Sequence, residues 1–268
     1  MCIFLHVIIR VVAVIILLYA LLCIILYFNQ EKLIFFPDKL SKNFKYNFNA
    51  VFEELYIKTN DGKLLNGLLF KSKNSKGLIF YLHGNAGALD SWGNVAEIYT
   101  QLNYDIFILD YPGYGKSEGA IESQQKFYDD IDTAYSYLKK RYDEKNIVLL
   151  GYSIGTGAAA YLASIHSPKL LILQAPYYSL VDMMQNSFSF LPTFLLKYKF
   201  ETYKYIEKCK MPIVIFHGDK DEIIYFGSSL KLKDHFKKVD QLIPLEGEGH
   251  NGITNNSKYV RTLGNIFK

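Results

Sequence analysis

Cysteine is scarce in this chain, with three in 268 residues, at positions 2, 23 and 209. Two of them lie in or beside an apolar N-terminus, so Cys209 stands alone in the body and no disulfide can form there. Neither Cys-x-x-Cys nor His-Glu-x-x-His occurs, so no metal or cofactor is expected. No charge run is present either: the 30 lysines and arginines are scattered, and the net charge is only +4. A basic stripe interleaved with aromatics is absent, which argues against a nucleic-acid partner. Charged residues make up 21% and hydrophobic residues 50%, a balance that excludes a largely disordered chain. No internal repeat or low-complexity tract interrupts it.

What is abundant begins at the N-terminus. Val11 to Phe28 is a run of 18 residues without charge, rich in Val, Ile and Leu. That is about the length needed to cross the hydrocarbon core of a bilayer as a helix. Tyr27-Phe28-Asn29-Gln30 lacks the small-x-small pattern of a signal-peptidase site. The run has no polar face, which weakens a buried core helix as an explanation. Residues 1–28 are therefore expected to be a single-pass membrane anchor, and 29–50 an aromatic, lysine-dotted linker. Arg10 precedes the run, while Lys32, Lys39, Lys42 and Lys45 follow it. The positive-inside rule leans towards a cytoplasmic domain; a signal anchor would export it, and the side of the membrane stays open.

The roughly 230 residues that remain suit one large α/β domain, expected over 51–268. Two alternating segments, Glu53–Lys58 and Leu64–Phe70, flank the turn signal Asn60-Asp61-Gly62. Apolar runs follow at Leu78–Leu82, Ile106–Leu109, Ile147–Leu150, Leu170–Leu173, Ile213–Phe216 and Gln241–Leu245. Helical patterns separate most of them, over Ser91–Leu102, Gln124–Tyr142, Ile154–Ile165, Gly227–Lys237 and Asn256–Phe267. A hairpin followed by alternating strands and helices predicts a mostly parallel, eight-stranded sheet with helices on both faces.

Gly151-Tyr152-Ser153-Ile154-Gly155 lies where a strand run meets a helical pattern. A serine between two glycines at such a turn is held in a strained conformation with its hydroxyl pushed outward, the signature of a nucleophile elbow. Serine is a weak nucleophile unless a base, usually histidine, and an orienting carboxylate assist it. In sheet enzymes of this kind the chain order is serine, acid, histidine. His6 and His83 precede Ser153. His166 falls near the end of the following helix, His235 on a lysine-rich helical stretch, and His217 before any plausible acid. His250 remains, in the glycine-flanked loop after the last strand run, where sheets of this kind carry ligands. In His217-Gly218-Asp219-Lys220-Asp221-Glu222 three acids compete; Asp221 is favoured, because it lies far enough along to project back towards His250. The oxyanion donors are expected to be the N–H of Ile154 and, from His83-Gly84-Asn85-Ala86-Gly87, that of Asn85. The same glycines also suit an ordinary tight turn. His83 is expected to support that loop and not to act in the chemistry.

These motifs, with Asp110-Tyr-Pro-Gly-Tyr-Gly-Lys-Ser117 between them, resemble the α/β-hydrolase family over residues 30 to 268. More narrowly, the chain resembles membrane-anchored members labelled serine-aminopeptidase-type or α/β-hydrolase-domain proteins. The resemblance implies an α/β-hydrolase fold and a Ser153–Asp221–His250 triad. It also implies a short cap over about 177–205, around Phe188-Ser-Phe-Leu-Pro192. The expected activity is hydrolysis of carboxylic esters or thioesters of small-molecule, lipid or acylated substrates. The alternatives are a serine aminopeptidase and, in a different class, a non-catalytic binding protein on the same fold.

Overall fold

The computed structural model describes residues 2–268; Met1, the first residue of the expected anchor, lies outside them. Eight strands form the central sheet: β1 (Phe52–Lys58), β2 (Leu64–Phe70), β3 (Leu78–Leu82), β4 (Asp105–Leu109), β5 (Ile147–Tyr152), β6 (Leu170–Gln174), β7 (Ile213–Gly218) and β8 (Gln241–Leu245). Their spatial order is β8-β7-β6-β5-β3-β4-β2-β1. β1 and β2 form the expected antiparallel hairpin, β2 also runs antiparallel to β4, and the other pairings are parallel. Among the described residues five helices have eight or more residues: α1 (Cys2–Phe28), α2 (Gln124–Lys139), α3 (Gly155–Ile165), α4 (Leu180–Ser187) and α5 (Ser257–Ile266).

The central strands are buried on both faces, which is why they read as unbroken apolar runs. Successive side chains alternate between faces. Leu78, Phe80 and Leu82 of β3 join Phe127 and Ile131 of α2 and Ala158 and Leu162 of α3 in one core layer. Ile79 and Tyr81 join Tyr259 and Leu263 of α5 in the layer on the opposite face.

α1 is longer than its uncharged run and takes in His6 and Arg10. Within Ile3–Phe28 an 18-residue window has a mean hydropathy of 3.1, and none of that window is buried in the protein. It is the one helix among the described residues long and apolar enough to cross a membrane. The connecting residues 29–50 also bind the domain: Phe36–Pro37 pairs in parallel with Ala86–Gly87. The helix expected over Ser91–Leu102 is divided into Leu89–Trp92, a 3-10 turn at Gly93–Val95, and Ala96–Thr100. The break falls at Gly93, the weakest helix former in the run, where a Cβ would sit 2.2 Å from the Phe48 ring.

Residues 177–205 contain α4, a 3-10 turn at Thr193–Leu195 and the start of the short helix Thr202–Ile206, and Leu180, Met183 and Met184 of α4 line a cavity together with Ser153. Of the two phenylalanines expected at the centre of this segment, Phe190 is 63% exposed and Phe188 is 53% exposed while also lining the cavity beside Ser153; Phe194, further along, is 81% exposed.

Candidate active site

Ser153 follows β5 and opens α3 with φ of +52°, a left-handed conformation that costs a non-glycine residue about 1–3 kcal/mol. The flanking glycines are required by close approach. A Cβ at Gly151 would lie 2.5 Å from the Gly155 carbonyl oxygen, and one at Gly155 would lie 2.1 Å from that of Leu82. The bend is held by Ser153 N–H donating to the Gln174 carbonyl at 2.9 Å and by the Thr156 hydroxyl donating to the Ser153 carbonyl at 2.6 Å.

The three side chains singled out in the sequence meet here. His250 Nε2 lies 3.0 Å from Ser153 Oγ, and His250 Nδ1 lies 2.7 Å from Asp221 Oδ2. All three residues are buried. Asp219, one of the two competing acids, instead accepts from the Gly247 amide and so ties the Asp221 and His250 loops together. Asp221 Oδ1 accepts the amides of Ile223 and Ile224 at 2.9 and 2.8 Å. Burial pushes the Asp221 carboxyl pKa up. Hydrogen bonds from His217 and His250, with the attraction of His250, outweigh burial and hold it well below the usual carboxylate range. An ionised Asp221 requires a donor at His250 Nδ1, which leaves the lone pair of Nε2 facing the serine.

His217 escaped the sequence reading because it precedes the acid in the chain. Its Nε2 lies 2.8 Å from the Ile224 carbonyl and 3.2 Å from Asp221 Oδ2, and its Nδ1 lies 2.6 Å from Ser229 Oγ. A carbonyl can only accept, so Nε2 carries the proton and Ser229 donates to Nδ1. Tyr152 was also missed as a support: its hydroxyl donates to the His250 carbonyl at 2.8 Å. The signal in both cases was faint, one tyrosine inside the elbow motif and one histidine at a strand end. The other histidines sit elsewhere. His166 pairs with Asp132 at 2.5 Å and His235 with Glu207 at 2.7 Å.

The loop carrying Asn85 is held from several sides. The Asn85 carbonyl accepts from the Tyr114 hydroxyl at 2.7 Å and the Phe36 amide at 2.8 Å, and the Tyr111 hydroxyl donates to the His83 carbonyl at 2.7 Å. The His83 ring is buried between Tyr111 and Trp92. Among the described residues the amides of Asn85 and Ile154 have no acceptor.

A cavity of about 610 Å³ leads away from Ser153, Ile154 and Asn85. Its walls are Met183 and Met184 of α4, Leu191 and Leu195 beyond it, and Leu26 and Leu33 from the N-terminal segment. Apart from serine, Asn85 and Gln30 the lining is apolar, and no Asp, Glu, Lys or Arg lines it.

Comparison with known proteins places this arrangement among relatives. The family model described as "Serine aminopeptidase, S33" matches residues 73–205. The chain is 32% identical over 216 residues to alpha/beta hydrolase domain-containing protein 17C of Xenopus tropicalis, covering 77% of this chain and 66% of that one. Protein 17B of the same organism is 32% identical over 201 residues, covering 72% and 66%. The chain thus spans slightly under two thirds of the length of these relatives. An esterase from Pyrococcus furiosus superposes with a TM-score of 0.69 at 18% identity, covering 87% of this chain and 96% of that one. The esterase domain of a Rhodothermus marinus protein superposes with a TM-score of 0.61 at 14% identity, covering 81% and 95%. At such identities the structural likeness establishes the fold alone.

Proposed function

The chain belongs to the α/β-hydrolase family, and we propose that it is a membrane-anchored serine hydrolase that cleaves carboxylic esters and thioesters through an acyl-enzyme. The observation that carries this reading is the unbroken relay from Asp221 through His250 to Ser153, at 2.7 and 3.0 Å. Alignment of this kind lets an imidazole deprotonate an alcohol that is otherwise inert at neutral pH.

His250 Nε2 takes the Ser153 proton as Oγ attacks the substrate carbonyl carbon. The negative charge on the carbonyl oxygen is received by the Asn85 and Ile154 N–H groups, which have no competing protein acceptor to leave. Preorganised donors of this kind are worth about 3–4 kcal/mol each in the transition state. The imidazolium, stabilised by Asp221, then gives its proton to the departing alkoxide or thiolate oxygen or sulfur. Water, deprotonated by His250, attacks the acyl-serine; the acid leaves and Oγ recovers its proton.

The cavity supports an acyl substrate over an aminopeptidase substrate. An aminopeptidase must hold a charged α-amine, and burying an ammonium without a carboxylate or comparable partner is costly. No carboxylate lines this cavity. The exposed, apolar α1 supports the anchor.

A fluorophosphonate probe should label the protein and fail to label Ser153→Ala. The wild type should hydrolyse p-nitrophenyl acyl esters and leave aminoacyl-p-nitroanilides largely intact. Equal labelling of both proteins would remove Ser153 from the chemistry, and a preference for the anilides would establish the peptidase. Absence of turnover across the ester panel, with ligands still stabilising the fold, would favour a binding protein.

A further inference from the structure

The Tyr19 hydroxyl donates to the Phe190 carbonyl at 2.7 Å, across 171 positions of sequence. This bond ties the tip of the cap to α1 at a definite height. Ile3–Phe28 has 26 residues, which at about 1.5 Å per residue makes about 39 Å of helix against a hydrocarbon core of about 30 Å. Tyr19 lies nine positions before Phe28, or about 13 Å along the axis. Even if the whole excess of about 9 Å projected at the Phe28 end, Tyr19 would sit about 4 Å inside the hydrocarbon. The bonded Phe190 backbone must sit at that depth too.

The cap tip is built for such a place. Phe190 and Phe194 are mostly exposed in the protein, an apolar surface that water penalises and acyl chains accept. Backbone polar groups in hydrocarbon need internal partners, and part of this segment's backbone has them. Leu191 N–H donates to the Phe188 carbonyl, Leu195 N–H to the Pro192 carbonyl, and Gln30 Nε2 to the Leu195 carbonyl at 2.7 Å. Gln30 Oε1 accepts the Lys197 amide at 2.9 Å, which fastens the far end of the tip to the base of α1.

The cavity above Ser153 is walled jointly by this tip, through Leu191 and Leu195, and by the N-terminal segment, through Leu26 and Leu33. Leu26 is itself part of the membrane-length helix. Resting on the reading of α1 as an anchor and Ser153 as the nucleophile, we propose that the cap tip is inserted in the bilayer beside α1, and that the cavity opens sideways into the leaflet. The substrate is then a membrane-resident acyl ester or thioester whose chain slides from the lipid between the cap and α1 to the serine. Its acyl chain never has to cross water.

The test uses the full chain in phosphatidylcholine nanodiscs. Phe194→Trp adds a fluorophore at the tip, and its added emission over the native Trp92 signal should fall by half or more in lipid brominated along the acyl chains. Emission unaffected by the brominated lipid would overturn the insertion, whatever the activity. In the double variant Phe190→Gln/Phe194→Gln, hydrolysis of p-nitrophenyl palmitate carried in the nanodisc should fall about tenfold or more. Hydrolysis of aqueous p-nitrophenyl acetate and fluorophosphonate labelling should stay within about twofold of wild type. Equal loss on both esters, or none on either, would overturn the lateral route. Failure of the serine-hydrolase reading would show differently, as absent labelling of the wild type with tip quenching unaffected.

Discussion

His217 Nε2 stands 3.2 Å from Asp221 Oδ2, the oxygen that also faces His250 Nδ1 at 2.7 Å. One carboxylate oxygen is therefore shared by a histidine that faces the serine and a histidine that does not. With the amides of Ile223 and Ile224 on Oδ1, the carboxylate is surrounded by donors and its orientation is fixed.

His217→Leu removes one of those donors with little change in volume. The freed carboxylate attracts the His250 proton more strongly, because hydrogen bonds to an ionised acid spread its charge. The acidic limb of the kcat/KM profile should move to higher pH, and kcat should fall about tenfold. His217→Gln, which keeps an N–H donor, should recover most of both. A pH-rate series on the three proteins with p-nitrophenyl butyrate checks this; a profile unmoved in His217→Leu would leave the histidine with packing alone.

Stability should respond to Asp221 in acid. Its pKa in the folded state lies below the unfolded value, so the unfolded chain binds more protons once the pH falls to the carboxylate range. The contribution is complete above about pH 4, the unfolded pKa, and disappears as the pH falls below it towards the folded value. Thermal melts of the full chain in detergent should show wild type losing Tm more steeply than Asp221→Asn below about pH 4. Parallel curves in that window would contradict the depressed pKa.

Two glycine substitutions should act in opposite directions. Gly155→Ala places a methyl 2.1 Å from the Leu82 carbonyl, between two backbones that cannot rotate aside. It should destabilise the protein by about 3 kcal/mol, the upper range for overpacking, and abolish labelling at Ser153. Gly264 lies within α5, where a Cβ would meet only a Leu102 methyl at 4.0 Å. Gly264→Ala should stabilise by about 0.5–1 kcal/mol through helix propensity. Urea unfolding midpoints measure both, and the same sign for the two would refute the steric account.

Much of the scaffold was legible in the chain because it depends on near neighbours. The runs at Leu78–Leu82 and Gln241–Leu245 are strands over those same residues, and Gln124–Tyr142 is a helix to Lys139. The elbow is visible because two glycines and a serine at fixed spacing meet a steric demand made within five residues. The chain order of serine, acid and histidine pointed to Ser153, His250 and the acids of the 217–222 loop, and Asp221 is the one of those acids that lies against the His250 ring.

Other features belong to the tertiary structure. The divided helix near Gly93 reflects a Phe48 ring from a segment 45 positions earlier. His217 looked idle because a histidine at a strand end, four positions before an aspartate in a loop, carries no periodic signal; it acquires a role only when the turn after β7 folds the carboxylate of Asp221 back against it. The exposed Phe190 and Phe194, and the bond from Tyr19 to Phe190, follow no local pattern at all. Periodicity, strand runs and tight turns are written by side chains that are close in sequence and compete for the same few backbone conformations. Which distant surfaces meet is decided by the summed burial of the whole chain, and that sum exists only once the chain has folded.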